Sequence, residues 1–427
     1  MGVEGKRLLV LGGTSATLDL VRNAKEMGIY TIVTDYLEGG VAKEIADETA
    51  MVSTADLEGL EVLVKERKVD GVFCGPSEFN IRNLIRLCER TGLPCYTNME
   101  LWDRCANKDE FKQYCIDNGV DCPRQFYVDE NSTEEELEAV DYPVIVKPVD
   151  GHSSNGISVA TDKTMIREAC RFAMEHSQCK RIVVEKYIEN GGELFGARYF
   201  LKDGEPYPYL LMDTYVADPV EKRSLISHFT YAPSKYSDYY MKNMDQQVRQ
   251  MLKNMGLKNG TAFFQALPCN GKIYFHEMGY RLSGGMLFKL TEPLMGVNDM
   301  KMMIRYALGE EMCSDDELHG VDVSSNRKIG AQLMVPLWEG TISSIEGLEE
   351  LKKLPCLQDF IQYYEVGDTL LPKHIGTLGQ HFGRFTLVAE EKKIIFDAVR
   401  RITNELVIRD ENGNVMNTLH LDLERTK

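Results

Sequence analysis

At 427 residues the chain is too long for one hydrophobic core, so two or three domains are expected. A hydrophobic content of 43% and a charged content of 27% are those of an ordinary globular protein, and a formal net charge of −17 without a basic block argues against nucleic acid as a general partner. No apolar run approaches the ~20 residues of a membrane span, and the 11 cysteines, none in a CxxC pair, read as reduced thiols of a cytoplasmic protein.

The opening "MGVEGKRLLVLGG" has too short an apolar run for a signal peptide and enters a strand directly. "SATLDLVRNAKEMG" then reads as a helix, "YTIVTD" as a strand, "LEGLEVLVKERK" as a helix and "DGVFCG" as a strand. "FNIRNLIRLCERTG" follows as a helix and "LPCY" as a short strand. This βαβ series predicts a parallel sheet with helices on both faces, its turns "GGTSAT" and "CGPSEFN" lying where open α/β sheets bind ligands. Gly12 and Gly13 do not complete GxGxxG, although Asp35 ends the second strand at a plausible distance; tight turns of a nucleotide-free domain are the better reading.

Residues 101–122 hold a helix, and from 124 to 215 strands dominate. A helix over 241–256 precedes the strand pair "FFQALPCNGKIYFHEM", residues 291–309 read as helical, and "GEEMCSDDELHGVDVSSN" reads as a linker. The rest is mixed α/β with a strand pair around "DENGN". Three domains are expected, over 1–100, 101–310 and 311–427.

"VIVKPVDGHSSNGISVA" carries the first chemical signal. Taken alone, Lys147 is a solvated strand end, but the Gly/Ser loop behind it (His152, Ser153, Ser154 and Gly156) has backbone amides able to converge on an anion. In "ANKDEF", Asn107 and Glu110 have capping-box spacing, which puts Lys108 at the first helical position. A cation there opposes the helix dipole at a cost of a few tenths to ~1 kcal/mol, which a nearby phosphate offsets. "VVEKYIENGGE" reads as a strand ending at Glu185, then a hinge at about 186–192, with Glu193 beyond it. In "FFQALPCNGKIYFHEMGYRLSGG" the Asn270-Gly271 pair marks a hairpin. A two-residue turn pairs Gln265 with His276; a three-residue loop pairs it with Glu277. Arg281, Ser283 and Gly284 follow just beyond. Arg198, His228 and Glu78 are further candidates for substrate contact.

In this order the motifs resemble the ATP-grasp superfamily, closest to the branch holding biotin carboxylase, carbamoyl phosphate synthetase, purine-pathway carboxylate ligases and L-amino-acid ligases. The resemblance covers nearly the whole chain and implies an α/β plus α+β architecture: a Rossmann-like pre-grasp domain, a two-lobed ATP-grasp core and a C-terminal mixed α/β domain. It implies that Lys108 and Lys147 contact ATP phosphates beneath the 152–156 loop, and that Glu185, Lys186, Tyr187, Ile188 and Glu193 hold adenine and ribose. Glu277 and Gln265 would bind Mg²⁺ (or Mn²⁺), while Arg281, with Lys147, would assist phosphoryl transfer. The implied reaction is ligation of a small carboxylate to an amine, or to a thiol, through an acyl phosphate. The alternatives are a regulatory nucleotide-binding protein with a weakened metal site, or a carboxylase or purine-pathway ligase of the same fold. A homodimer is common among such enzymes. Two departures stand out: the family usually has an acid at Gln265 and Asn at Gly279.

Overall fold

A computed structural model describes residues 2–149, 156–216, 227–323, 328–417, 419 and 421–426. Four strands, β1 (Arg7–Leu11), β2 (Tyr30–Thr34), β3 (Glu48–Ala50) and β4 (Gly71–Phe73), form a parallel sheet in the order β3-β2-β1-β4. In β1, Leu8 to Leu11 are all fully buried, as a parallel strand covered on both faces requires. The segment expected as a strand at "LPCY" is irregular, and β3 was not anticipated. Instead of joining the sheet, Tyr96 exchanges hydroxyl-to-carbonyl hydrogen bonds with Tyr280, at 3.2 and 3.0 Å, tying the first sheet to the middle of the chain. The βα turn is filled by its own residues. Gly13 N donates to Asp35 Oδ2 at 3.0 Å, and Lys43 Nζ donates to Asp35 O at 3.0 Å, so the aspartate a dinucleotide would need is already engaged.

The helix expected over 101–122 is two helices, Met99–Ala106 and Lys108–Asp117, because Asn107 ends one and caps the other. A small antiparallel sheet follows, built from β5 (Gln125–Phe126), β6 (Val144–Pro148), β7 (Ser158–Ala160) and β8 (Ile182–Lys186) in the order β5-β8-β6-β7. It has its own apolar core against the helix Lys163–His176, through Val144, Val146, Ile166 and Ala173.

Next come β9 (Glu193–Lys202), β10 (Glu205–Val216), β11 (Ser227–Ala232), β12 (Gly260–Cys269), β13 (Lys272–Gly279), β14 (Ile329–Pro336), β15 (Gly340–Glu346), β16 (Leu357–Gln362), β17 (Thr369–Leu370), β18 (His381–Ala389) and β19 (Val407–Asp410). Eight of them make one sheet in the order β13-β12-β9-β10-β11-β14-β18-β16. The sheet therefore runs across residue 310: β11 pairs antiparallel with β14, Thr230 opposite Gln332. The packing follows the same pattern, since one apolar cluster spans the first sheet and the β9–β13 region, and a second covers the C-terminal face. The expected linker contains a helix, Asp315–His319, whose Ser314/Glu317 capping box was legible in "SDDE". The strand expected before "DENGN" is β19, which pairs mainly with β15, while Arg409 bridges to Val415 across the turn. No helix among the described residues is long and apolar enough to cross a membrane.

A chain ending at residue 310 loses β14 and exposes the edge of β11, with buried Phe229 and Tyr231 beside it. Such a truncation is expected to elute as aggregate in size-exclusion chromatography; a folded monomer would show that the sheet is divisible there.

Candidate functional site

The small sheet and the Lys108–Asp117 helix bring a group of charges together. Ile145 of β6 pairs with Glu185 of β8, and Lys147 lies two residues along from Ile145 on the same face. Lys147 Nζ is 2.6 Å from Glu185 Oε2, and Lys112 Nζ bonds the other oxygen, Oε1. The Glu185 side chain is only 5% exposed. Burial pushes its carboxyl up, but Lys147 and Lys112 outweigh burial and hold it below the usual glutamate range.

Lys108 joins this group. Asn107 Oδ1 accepts from the backbone N–H groups of Asp109 and Glu110, as the capping reading requires, although the Glu110 carboxylate reaches the Asn107 side-chain amide rather than its backbone N–H. Burial first, then the Lys147 ammonium, hold Lys108 below the ordinary lysine value, while Glu277, Glu185 and Glu78 act in the opposite sense. The Lys108 and Lys147 ammonium groups repel each other, so the two lie in one neighbourhood. Lys112 was missed by the sequence reading, and its signal was present: it lies four residues after Lys108, on the same helix face.

The hairpin combines the two alternatives its sequence left open. Asn270 (φ 50°) and Gly271 (φ 74°) make a two-residue turn in the left-handed region, and Cys269 pairs with Lys272. A bulge then absorbs one residue: Ala266 pairs with Phe275 but Gln265 with Glu277, leaving His276 as the extra residue. Gln265 and Glu277 thus share one face. Burial first, then Lys147, bring the His276 imidazole down to about 3, and its buried Nδ1 has no hydrogen-bond partner among the described residues. It is therefore a neutral neighbour of the cluster.

Gly279 has a steric reason. A Cβ there would lie 2.4 Å from Phe263 Cε1 and Cζ, because Phe263 is its cross-strand partner and its ring covers the glycine on this edge strand. The guanidinium carbons of Arg198 and Arg281 lie 4.9 and 5.0 Å from the same ring centroid. The space an asparagine would need is occupied by an aromatic ring flanked by two cations.

Alternation along the large sheet brings Leu194, Gly196, Arg198, Thr214, Thr230, Gln265, Gln332, Met334 and Arg384 to the wall of a cavity of about 620 Å³. Glu277, Arg281, Ser283 and Gly284 line it too, as do Asp19 and Ser77 from the first sheet's helices and turns. Arg281 Nη2 donates to Glu78 Oε1 at 2.8 Å, which places Glu78 beside the cavity through the arginine. Arg198 is buried, which lowers its guanidinium to about 10 and leaves it protonated. Asp299, raised to about 6 by burial, accepts from Tyr209 OH at 2.8 Å. Arg198 Nε, Gln332 Nε2, Arg384 Nε and Asp299 Oδ1 have no hydrogen-bond partner among the described residues. Gln332, Arg384 and Asp299 were not foreseen, since strand pairing over long separations carried two of them here.

Other expected residues fall differently. His228 does not line the cavity: the β10–β11 register slips where Ser227 faces Val216, and the buried His228 ring packs at 5.3 Å on His381 instead. The Lys186 ammonium donates to Asp141 Oδ1 at 2.9 Å and Tyr142 O at 2.8 Å, and Tyr187 N donates to Pro143 O at 2.9 Å, so both tie the end of β8 to the residues before β6. Ile188 is half-buried, and Gly156 has φ 76°. Glu193 is buried with its Oε1 3.0 Å from Lys235 Nζ. His152, Ser153 and Ser154 lie outside the described residues.

Residues 107–314 match the model of the carbamoyl-phosphate synthase L chain ATP-binding domain. That match places residues 107–314 in the ATP-grasp superfamily. It is 24% identical over 317 residues to a formate-dependent phosphoribosylglycinamide formyltransferase of Sulfolobus acidocaldarius, covering 71% of this chain and 76% of that protein. Its fold matches a crystal structure of L-amino acid ligase from Bacillus licheniformis with a TM-score of 0.76 at 19% identity, covering 96% of this chain and 100% of that one. Phosphoribosylglycinamide synthetase from Anaerococcus prevotii gives 0.74 at 22% identity, with the same coverage.

Glu277 and Gln265, directly opposed on adjacent strands, would offer Mg²⁺ one carboxylate and one amide carbonyl. No cluster of three His, Cys, Asp or Glu suited to a metal occurs among the described residues. An oxygen pair suffices for an ion that keeps several waters and completes its shell with phosphates. Gly279→Asn is expected to clash with Phe263 and cost about 1–3 kcal/mol in denaturant unfolding, and adding Phe263→Ala should recover part of that loss. Unchanged stability of the single variant would contradict the packing.

Proposed function

We propose that this protein, an ATP-dependent ligase of the ATP-grasp superfamily, joins a small carboxylate to an amine through an acyl phosphate. The observation that carries the reading is the grouping of Lys108, Lys112 and Lys147: Lys112 and Lys147 share the Glu185 carboxylate, while Lys108 bonds no carboxylate among the described residues and feels Glu277, Glu185 and Glu78 only from a distance. In so acidic a chain, three grouped cations with one carboxylate bonded to them suit a polyanion such as a triphosphate. The neighbouring cavity, with Arg198, Arg281 and Arg384 on its walls, suits the acid to be activated.

On this reading Lys147 and Lys108 hold the phosphates, and Glu277 with Gln265 would hold Mg²⁺, which supplies charge neutralisation to the transferring phosphoryl group. Arg281, kept in place by Glu78 and Phe263, aims its guanidinium at the reacting oxygens. A carboxylate oxygen attacks the γ-phosphorus, the bond to the bridging oxygen breaks, and ADP leaves. The amine then attacks the acyl carbon, phosphate departs, and the nitrogen loses a proton. Positioning and electrostatics account for most of the rate. On this reading the large sheet and the helices and turns of the first sheet, which wall the cavity, limit the access of water to the acyl phosphate.

The depleted metal side favours one second reading, a nucleotide-binding regulator on the same fold. Incubation with Mg²⁺-ATP and pools of carboxylates and amines decides between them: ADP release only when both pools are present supports the ligase, and tight ATP binding without turnover supports the regulator. Lys147→Ala is expected to abolish nucleotide binding in calorimetry and, because it leaves buried Glu185 with Lys112 alone, to lower the thermal midpoint while the chain still folds; unchanged affinity in the folded variant would remove the phosphate assignment. Gln265→Glu should lower the Mg²⁺ concentration needed for half-maximal ADP release, because a second anion near a divalent ion gains several kcal/mol at an effective dielectric of ~20. A higher requirement would show that Gln265 does not face the metal.

A further inference from the structure

Each oxygen of the Glu185 carboxylate has its own lysine, and the two are not equivalent. Lys112, 8% exposed, lies on the helix that also carries Lys108, and it bonds Oε1. Lys147, 12% exposed, sits on β6 just before the 151–156 loop and bonds Oε2 at 2.6 Å. The Lys108 ammonium, the His276 imidazole and the Cys122 thiol also feel this carboxylate, but none of them bonds it.

A phosphate approaching Lys147 therefore competes with Glu185 for its N–H groups. Were Lys147 the only partner, its transfer would strand an almost water-free carboxylate, and that cost would be charged against nucleotide affinity. We propose that Lys112 is a positioning residue for nucleotide binding: it stays on Glu185 and so frees Lys147 for the phosphates. The proposal rests on the phosphate site assigned above and adds to it a residue that need not touch the nucleotide at all.

The test is ATP affinity by calorimetry in the presence of Mg²⁺, with thermal unfolding measured alongside. Lys112→Met is expected to weaken ATP by about tenfold or more, the range seen when supporting contacts of a site are removed. Lys112→Arg should restore most of the affinity, since it keeps the cation. The double variant Lys112→Met/Glu185→Gln should bind more tightly than Lys112→Met alone, because a neutral amide has no hold on the Lys147 charge. It leaves no unpaired buried carboxylate, and the Lys147 ammonium keeps some access to solvent, so it also serves if Lys112→Met is unstable. A folded Lys112→Met with wild-type affinity, or a folded double variant that binds no better than the single one, would overturn the proposal while leaving the ligase reading intact. Wild-type protein that fails to bind ATP would overturn both.

Discussion

The site depends on one buried carboxylate. Glu185 stays ionised in a nearly dry position only because ammonium groups reach it from two different elements. That pairing holds the Lys108–Asp117 helix against the small sheet and fixes Lys147, and with it the proposed polyanion site. Removing one partner of such a group is far more damaging than replacing the whole set, since the remaining charge keeps its desolvation cost and loses its compensation. Cationic excess and structural rigidity in this region therefore have the same origin.

The second half of the site depends on strand alternation interrupted at chosen points. Seven neighbouring strands contribute side chains to the cavity, so a slip of one residue in any of them would exchange a functional side chain for one facing away. Two slips do occur. The bulge at His276 sends Glu277 to the face of Gln265, and the irregularity beside Ser227 sends His228 away from the cavity. Phe263 completes this wall by covering Gly279 and lying against Arg198 and Arg281, so the unusual glycine and the two arginines form one packing unit. The C-terminal strands are part of the same surface: Gln332 and Arg384 reach it because β14 and β18 continue the sheet.

Much of this was legible before any coordinates. Lys147 and Glu185 announce themselves by ending apolar strands, Lys108 by its place after an N-cap, and the hairpin by Asn-Gly. Lys112 shared that helical spacing and was passed over, because a lysine on a surface-like helix gives no local sign that a carboxylate 73 residues away will cover it. His228 misled because a bulge has no dependable local signature here. Asp299, Gln332 and Arg384 were invisible because each owes its role to a partner far along the chain.

The sequence by itself determined the order of elements, the parallel first sheet, the turn at Asn270-Gly271 and the identity of the chemical groups available. Those features follow from local propensity and periodicity, which act over a few residues. Only the tertiary structure decided that Gln265 faces Glu277, that Phe263 takes the space beside Gly279, that two lysines share one carboxylate, and that the large sheet runs unbroken past residue 310. Each of these is set by register and packing between distant segments, where the free energy depends on what the neighbour is rather than on what the residue is.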